Sequence, residues 1–201
     1  MSFYAKAKFL LAGLIRKLWR IRVENPENEC PGVPYLICAN HQSLLDPILL
    51  GAALARNPRY MAKAELKKVP VVKQLISALG GYFIDRGGSD VAAIKKTISL
   101  LKEGESIVMF PQGTRYRGVD PRTTKVKFGC SMVAGRAGVS VLPIYIDVKD
   151  HRVRLFRKTI IRIGQAITPE ELAAVAESPE DHRHGAELIF SRITALMPEN
   201  D

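Results

Sequence analysis

The chain has 201 residues, 47% hydrophobic and 25% charged, the composition of one folded domain with a core, which excludes a disordered or collagen-like chain. Thirty Lys and Arg against twenty Asp and Glu give a formal charge of +10, a surface that attracts phosphates, anionic headgroups, acidic carrier proteins or nucleic acid. Cys30, Cys38 and Cys130 are too scattered for a disulfide framework or a thiolate zinc site, which points to a reducing compartment.

No apolar run approaches the ~20 residues that cross a bilayer. The longest near the start, 9–15, is followed by Arg16 and Lys17, a flank unlike that of a secretory signal. Residues 3–20 instead read as a helix. At about 100° per residue, Phe3, Tyr4, Ala7, Leu10, Leu11, Leu14, Ile15, Leu18 and Trp19 share one broad arc, opposite Lys6, Gly13, Arg16, Lys17 and Arg20. A basic polar face with a Trp suits a headgroup layer. The same arc also suits plain packing on a core. The expected division is a membrane-associating helix at 1–22 and a body at 23–201, with 25–32 as the one plausible linker.

From residue 33 short apolar runs alternate with helical patterns. Strands are expected at 33–39, 59–62, 82–85, 106–110 and 139–147, and an Arg-rich hairpin at 152–163. Helices are expected at 43–55, 66–79 (broken by Pro70), 89–102, 129–137, 169–175 and 180–197. Ser89 can cap the third of these, and Val91, Ile94, Ile98 and Leu101 repeat at helical spacing. Gly104 and Gly138 fall where helices end. This alternation predicts an α/β domain whose central sheet is mostly parallel and flanked by helices.

Three strand ends carry polar residues. Asn40-His41-Gln42-Ser43-Leu44-Leu45-Asp46-Pro47 follows the first. Residues five apart in one helix do not meet, so His41 and Asp46 pair only if His41 precedes the helix. Ser43 as the N-cap arranges that, and Asp46 then accepts from one ring nitrogen and leaves the other as a general base. Ser43-x-x-Asp46 is equally a capping box, in which Asp46 only caps the helix. Phe110-Pro111-Gln112-Gly113-Thr114-Arg115 follows another strand. Gly113 lets backbone approach an anion and Arg115 offers a planar fork, with Arg117, Arg122, Lys125 and Lys127 nearby. The bland alternative is a solvated basic loop. The third, Gly81 to Arg86, presents Arg86, which can also simply pair with Asp85 or Asp90. A nucleophile elbow, a P-loop and a dinucleotide fingerprint are all missing from the sequence. His182-x-His184 reads as a surface pair rather than a metal fragment, and no metal is expected.

Taken together, Asn40-His41 to Asp46, Gly80-Gly81 to Arg86, Phe110 to Arg115 and Val141-Leu142-Pro143-Ile144 resemble the glycerolipid acyltransferase family, specifically its bacterial 1-acylglycerol-3-phosphate acyltransferases. Met61 to Leu66 and Ile161 to Ile167 resemble two further family segments, so the likeness runs over roughly 20–170, in order. The family usually has Glu at Gln112 and Ser at Tyr116. The resemblance implies transfer of a fatty acyl group from acyl-CoA or acyl carrier protein to the sn-2 hydroxyl of lysophosphatidic acid. His41 would be the base, oriented by Asp46. Arg115, Gly113, Thr114 and Arg86 would bind the acceptor phosphate. Gln112 and Lys63 would contact the acceptor or the oxyanion. No cofactor is implied. The resemblance also implies a peripheral or monotopic position on the cytoplasmic face of the cell membrane, against anionic lipid. Two alternatives follow: another lysolipid acceptor on the same fold, such as a lyso-ornithine lipid, and a basic nucleic-acid-binding protein. The second has no recognition module and no interleaved aromatics to support it.

Overall fold

The computed structural model describes residues 3–63, 68, 70, 73–74, 80–84, 90–176 and 181–199. Seven strands form one sheet: β1 (Ile21–Glu24), β2 (Tyr35–Ala39), β3 (Arg59–Lys63), β4 (Gly81–Ile84), β5 (Ile107–Met109), β6 (Ser140–Val148) and β7 (Thr159–Ile163). Their order is β1-β7-β6-β2-β5-β3-β4. All neighbours are parallel except β6 and β7. The carboxyl ends of β6, β2, β5, β3 and β4 therefore share one edge of the sheet.

The helices are α1 (Phe3–Leu18), α2 (Asp46–Ala53), α3 (Asp90–Lys102), α4 (Gly129–Ala137), α5 (Pro169–Ala174) and α6 (Arg183–Thr194). β2 shows why the first strand reads as a continuous apolar run: all five of its residues are buried, as expected of a parallel strand covered on both faces. Leu36 and Cys38 join Leu101, Val133, Ile189 and Ile193 from α3, α4 and α6 on one face. Tyr35, Ile37 and Ala39 join Leu50 and Ala53 of α2 on the other. Helix ends follow local chemistry. Gly138 takes φ 67° at the end of α4, and Thr168 with Glu171 forms a capping box on α5.

Four expectations change. The strand β1 was not foreseen; it pairs with β7 from Ile21↔Thr159 to Glu24↔Arg162, so the boundary expected between 22 and 23 falls inside a strand. The stretch 25–32 is not a free linker, because buried Glu29 accepts from the N–H groups of Ala55 and Arg56, both at 3.0 Å. The hairpin expected at 152–163 is one strand preceded by a loop, with Phe156 at φ 60°, a value that breaks strand geometry. The second helix starts at Asp46 rather than at Ser43. Most of the helix expected at 66–79 lies outside the described residues, as do Ser89 and the side chains of residues 3–10.

The N-terminal helix docks on α2 through residues of both expected faces. Ile15 is buried against Leu49 and Ala52, with Ala12 and Trp19 packed alongside. Arg16 donates to the carbonyls of Ala52 at 2.6 Å and Ala53 at 2.8 Å, capping the end of α2. Leu11 and Leu14 remain 37% and 53% exposed. The apolar arc is thus wider than the part that docks.

Candidate active site

The site is built at the shared carboxyl edge of the parallel strands, where open α/β sheets bind ligands. Asn40, fully buried, follows β2 and locks it to β6. Its side-chain oxygen accepts from Ile146 N–H at 2.7 Å, and its NH2 group donates to Ile146 carbonyl at 3.2 Å. Gln42 donates to the same carbonyl at 2.7 Å. His41 lies between them, at the end of β2, with its side chain partly exposed.

His41 Nδ1 lies 2.8 Å from Asp46 Oδ2, and the Asp46 side chain is fully buried while that of His41 is 16% exposed. The same carboxylate oxygen accepts from the N–H groups of Gln42 and Ser43, both at 2.7 Å. As acceptor of three N–H groups, it makes Nδ1 the protonated ring nitrogen and leaves a lone pair on Nε2. The pairing forms and the expected capping box does not: the N-cap of α2 is Leu45, with no side-chain cap bond, and the Asp46 oxygen that orients the ring also closes the turn that precedes α2. The imidazole stacks on Phe110, with ring centroids 3.9 Å apart and planes at 12°. Two of its degrees of freedom are thereby fixed, and Nε2 can accept a proton from a correctly placed hydroxyl.

Gln112, expected to contact the acceptor or the oxyanion, makes hydrogen bonds within the protein. It is only 2% exposed. Its oxygen accepts from His41 N–H at 2.6 Å, and its NH2 group donates to Thr124 Oγ1 at 2.7 Å. Thr124 Oγ1 in turn donates to Pro121 carbonyl at 2.7 Å. Both ends of the amide are thus used inside the protein, bracing the His41 turn against the loop after β5. Tyr116 N–H adds a bond to His41 carbonyl at 2.9 Å.

Gly113, Thr114 and Arg115 are exposed on that loop. Gly113 takes φ 66°, and a Cβ there would sit 2.7 Å from Lys127 Cδ, so its freedom serves a close fit to the Lys127 stem. Arg115 makes no hydrogen bond or ion pair among the described residues, which leaves its guanidinium available. Arg122 does not share that role: it pairs with Asp120 at 2.6 Å, and its hydrogen bonds hold the Asp120 carboxyl below its ordinary range. Lys63 ends β3 on the same edge, but its side chain lies outside the described residues, as does all of Arg86. His184 pairs with Asp181, and among the described residues no group of His, Cys, Asp and Glu can hold a metal ion.

Sequence reasoning gave no role to Gln42, Phe110 or Thr124 and named Asn40 only as a motif member. Polar residues flanking a strand-end histidine were the available signal. Their partners, up to 106 residues away, gave none.

The sheet edge thus carries a histidine held by a carboxylate and an arginine without a partner among the described residues, an arrangement able to take a proton beside an anionic group. Residues 20–147 match the model of the acyltransferase family, and the chain belongs to that family. It is 33% identical over 141 residues to the 1-acyl-sn-glycerol-3-phosphate acyltransferase of Borreliella burgdorferi, covering 69% of this chain and 54% of that one. It is 34% identical over 122 residues to the lyso-ornithine lipid O-acyltransferase of Pseudomonas aeruginosa, covering 60% of this chain and 46% of that one. The chain thus spans about half the length of these curated relatives. Among solved structures, the 1-acyl-sn-glycerophosphate acyltransferase PlsC of Thermotoga maritima is 28% identical, with a TM-score of 0.70 over 98% of this chain and 83% of that one.

Proposed function

We propose that the chain transfers a fatty acyl group from a thioester, acyl-CoA or acyl carrier protein, to the sn-2 hydroxyl of lysophosphatidic acid, giving phosphatidic acid. The observation that carries this reading is the His41 ring held between Asp46 and Phe110, with no partner for Nε2 among the described residues. Nε2 takes the hydroxyl proton as the oxygen attacks the thioester carbonyl. The tetrahedral intermediate then collapses, the C–S bond breaks, and the imidazolium returns the proton to the leaving thiolate. Asp46 stabilises that imidazolium, and a positioned base of this kind is worth ~10²–10⁴-fold. Arg115, with the Gly113 and Thr114 backbone and Arg86, is the binding set for the acceptor phosphate. Lys63 is the candidate donor to the oxyanion.

No helix among the described residues is long and apolar enough to cross a membrane. The reading places the protein peripherally on the cytoplasmic leaflet, with Leu11 and Leu14 of α1 and the +10 charge toward anionic lipid. Leu44, 73% exposed between His41 and Asp46, suits a site mouth that opens on acyl chains.

Thioester release with an acceptor panel tests the reading. Lysophosphatidic acid should be the best acceptor, ahead of lyso-ornithine lipid and lysophosphatidylcholine. Arg115→Ala should raise its KM by about tenfold or more, since a charge-assisted contact to an ion is worth ~1.5–3 kcal/mol. Preference for an acceptor without a phosphomonoester would contradict the assignment of acceptor.

A further inference from the structure

We propose that the loop at 149–158 is a second bilayer-contact element, which takes a phospholipid phosphate in a basic cleft and sets Leu155 and Phe156 into the apolar layer. The proposal rests on the reading above that the acceptor lies in a membrane.

Topology puts this loop beside the site. β6 runs parallel to β2 and β5, so the chain leaves β6 at the edge that carries His41 and Arg115. β7 starts there, and β1 is parallel to β7, which brings the end of α1 to the same edge. Two hydrogen bonds make the connection. Phe156 N–H donates to Leu18 carbonyl, the last residue of α1, at 2.8 Å, and Gly118 N–H donates to His151 carbonyl at 2.9 Å. The loop therefore joins the end of α1 to the loop that carries Arg115.

Its chemistry fits an anionic lipid surface. Lys149, Arg152, Arg154, Arg157 and Lys158 face a single acid, Asp150. A cleft of about 70 Å³ is lined by Lys149, Asp150, Arg152, Arg154 and Arg157, a size suited to a phosphate group. Asp150 lies 4.0 Å from Arg154, so the lining keeps a surplus of positive charge. The apolar residues divide in two. Val153 packs with the cluster of Ile15 and Leu49, whereas Leu155 and Phe156 are 48% and 63% exposed.

The backbone shows what that exposure costs. Five described non-glycine residues have positive φ, and three lie in this loop: Asp150 at 57°, His151 at 50° and Phe156 at 60°. An L-residue with a Cβ is disfavoured there, and Phe156 gains no burial in return. Strain of this kind collects where function requires it. An exposed aromatic and an exposed leucine rimmed by arginines match the composition of elements that lie in a headgroup layer.

Vesicle co-sedimentation of the full chain tests the proposal, with phosphatidylcholine vesicles and with phosphatidylcholine–phosphatidylglycerol vesicles. Phe156→Gly should raise the thermal unfolding midpoint, because it removes the strain. It should also lower partition into both vesicles about tenfold, because the buried ring is lost. A merely structural residue would move both readouts in the same direction. Arg154→Gln with Arg157→Gln should lower partition into the phosphatidylglycerol vesicles roughly fivefold per charge, and into the phosphatidylcholine vesicles by a smaller factor, because that lipid offers the same phosphate to the cleft but no net negative surface charge. Turnover of a short-chain, water-soluble lysophosphatidic acid should stay at the wild-type rate in all these variants. That arm separates the two readings: absence of turnover in the wild type counts against acyl transfer, while partition still reports on the loop. Unchanged partition of both variants would overturn the proposal. So would a loss confined to oligonucleotide binding, or to self-association in sedimentation velocity.

Discussion

One carboxylate oxygen serves three donors at Asp46, and its second oxygen is buried with no hydrogen-bond partner among the described residues. Asp46→Asn can therefore place its carbonyl where Oδ2 stands and its NH2 at the unpartnered position. The turn should survive, with an unfolding midpoint close to wild type. Rate should fall by about a hundredfold or more, because an amide stabilises the imidazolium poorly. Gln112 makes the opposite case. A glutamate there still accepts from His41 N–H, but it cannot donate to Thr124, whose hydroxyl would have to turn away from Pro121 carbonyl. Gln112→Glu should keep kcat/KM within roughly tenfold, ~1.4 kcal/mol in the barrier, and lower the unfolding midpoint. Thr124→Val beside Gln112→Glu should cost more than the sum of the two alone, since the carboxylate oxygen that faces residue 124 then lacks a donor. An additive pair would remove Gln112 from its bracing role.

At the scale of elements, α1 is a docked helix with an outward apolar flank rather than a detachable anchor. Ile15 covers Leu49 and Ala52, and Arg16 caps two carbonyls of α2. Deleting residues 1–20 should cost roughly 4–9 kcal/mol of stability, from one buried aliphatic side chain and two charge-assisted bonds. Leu11→Ser with Leu14→Ser should leave the unfolding midpoint in place and reduce vesicle binding. Equal stability of the truncated and full chains would contradict this packing. The helix was legible as amphipathic from spacing alone, but not how its arc is shared between core and surface. β1 was illegible for a related reason: Ile21-Arg22-Val23-Glu24 is short and half charged, and it becomes a strand only because β7 offers a parallel ladder. The loop at 149–158 misled in the other direction. Val153 and Leu155 alternate as a strand would, while the left-handed backbone at Asp150, His151 and Phe156 breaks the ladder.

At the scale of the whole molecule, one topological fact gathers the chemistry. Five strands point their carboxyl ends to one edge, and the reversed pair β7 and β1 returns the end of α1 to it. The alternation of apolar runs with helical patterns made that architecture legible. The geometry of His41 and Asp46 was legible too, because their spacing admits contact only across a strand-to-helix turn. The supports at Asn40 and Gln112 were not, since their partners lie 106 and 71 residues away in sequence. What the edge performs rests most directly on one side chain. Purified His41→Ala, assayed for thioester release with lysophosphatidic acid beside the wild type, should show no release above the enzyme-free background and an unfolding midpoint close to wild type, because among the described residues its ring makes a hydrogen bond to Asp46 alone. Turnover near the wild-type rate in that variant would contradict the account.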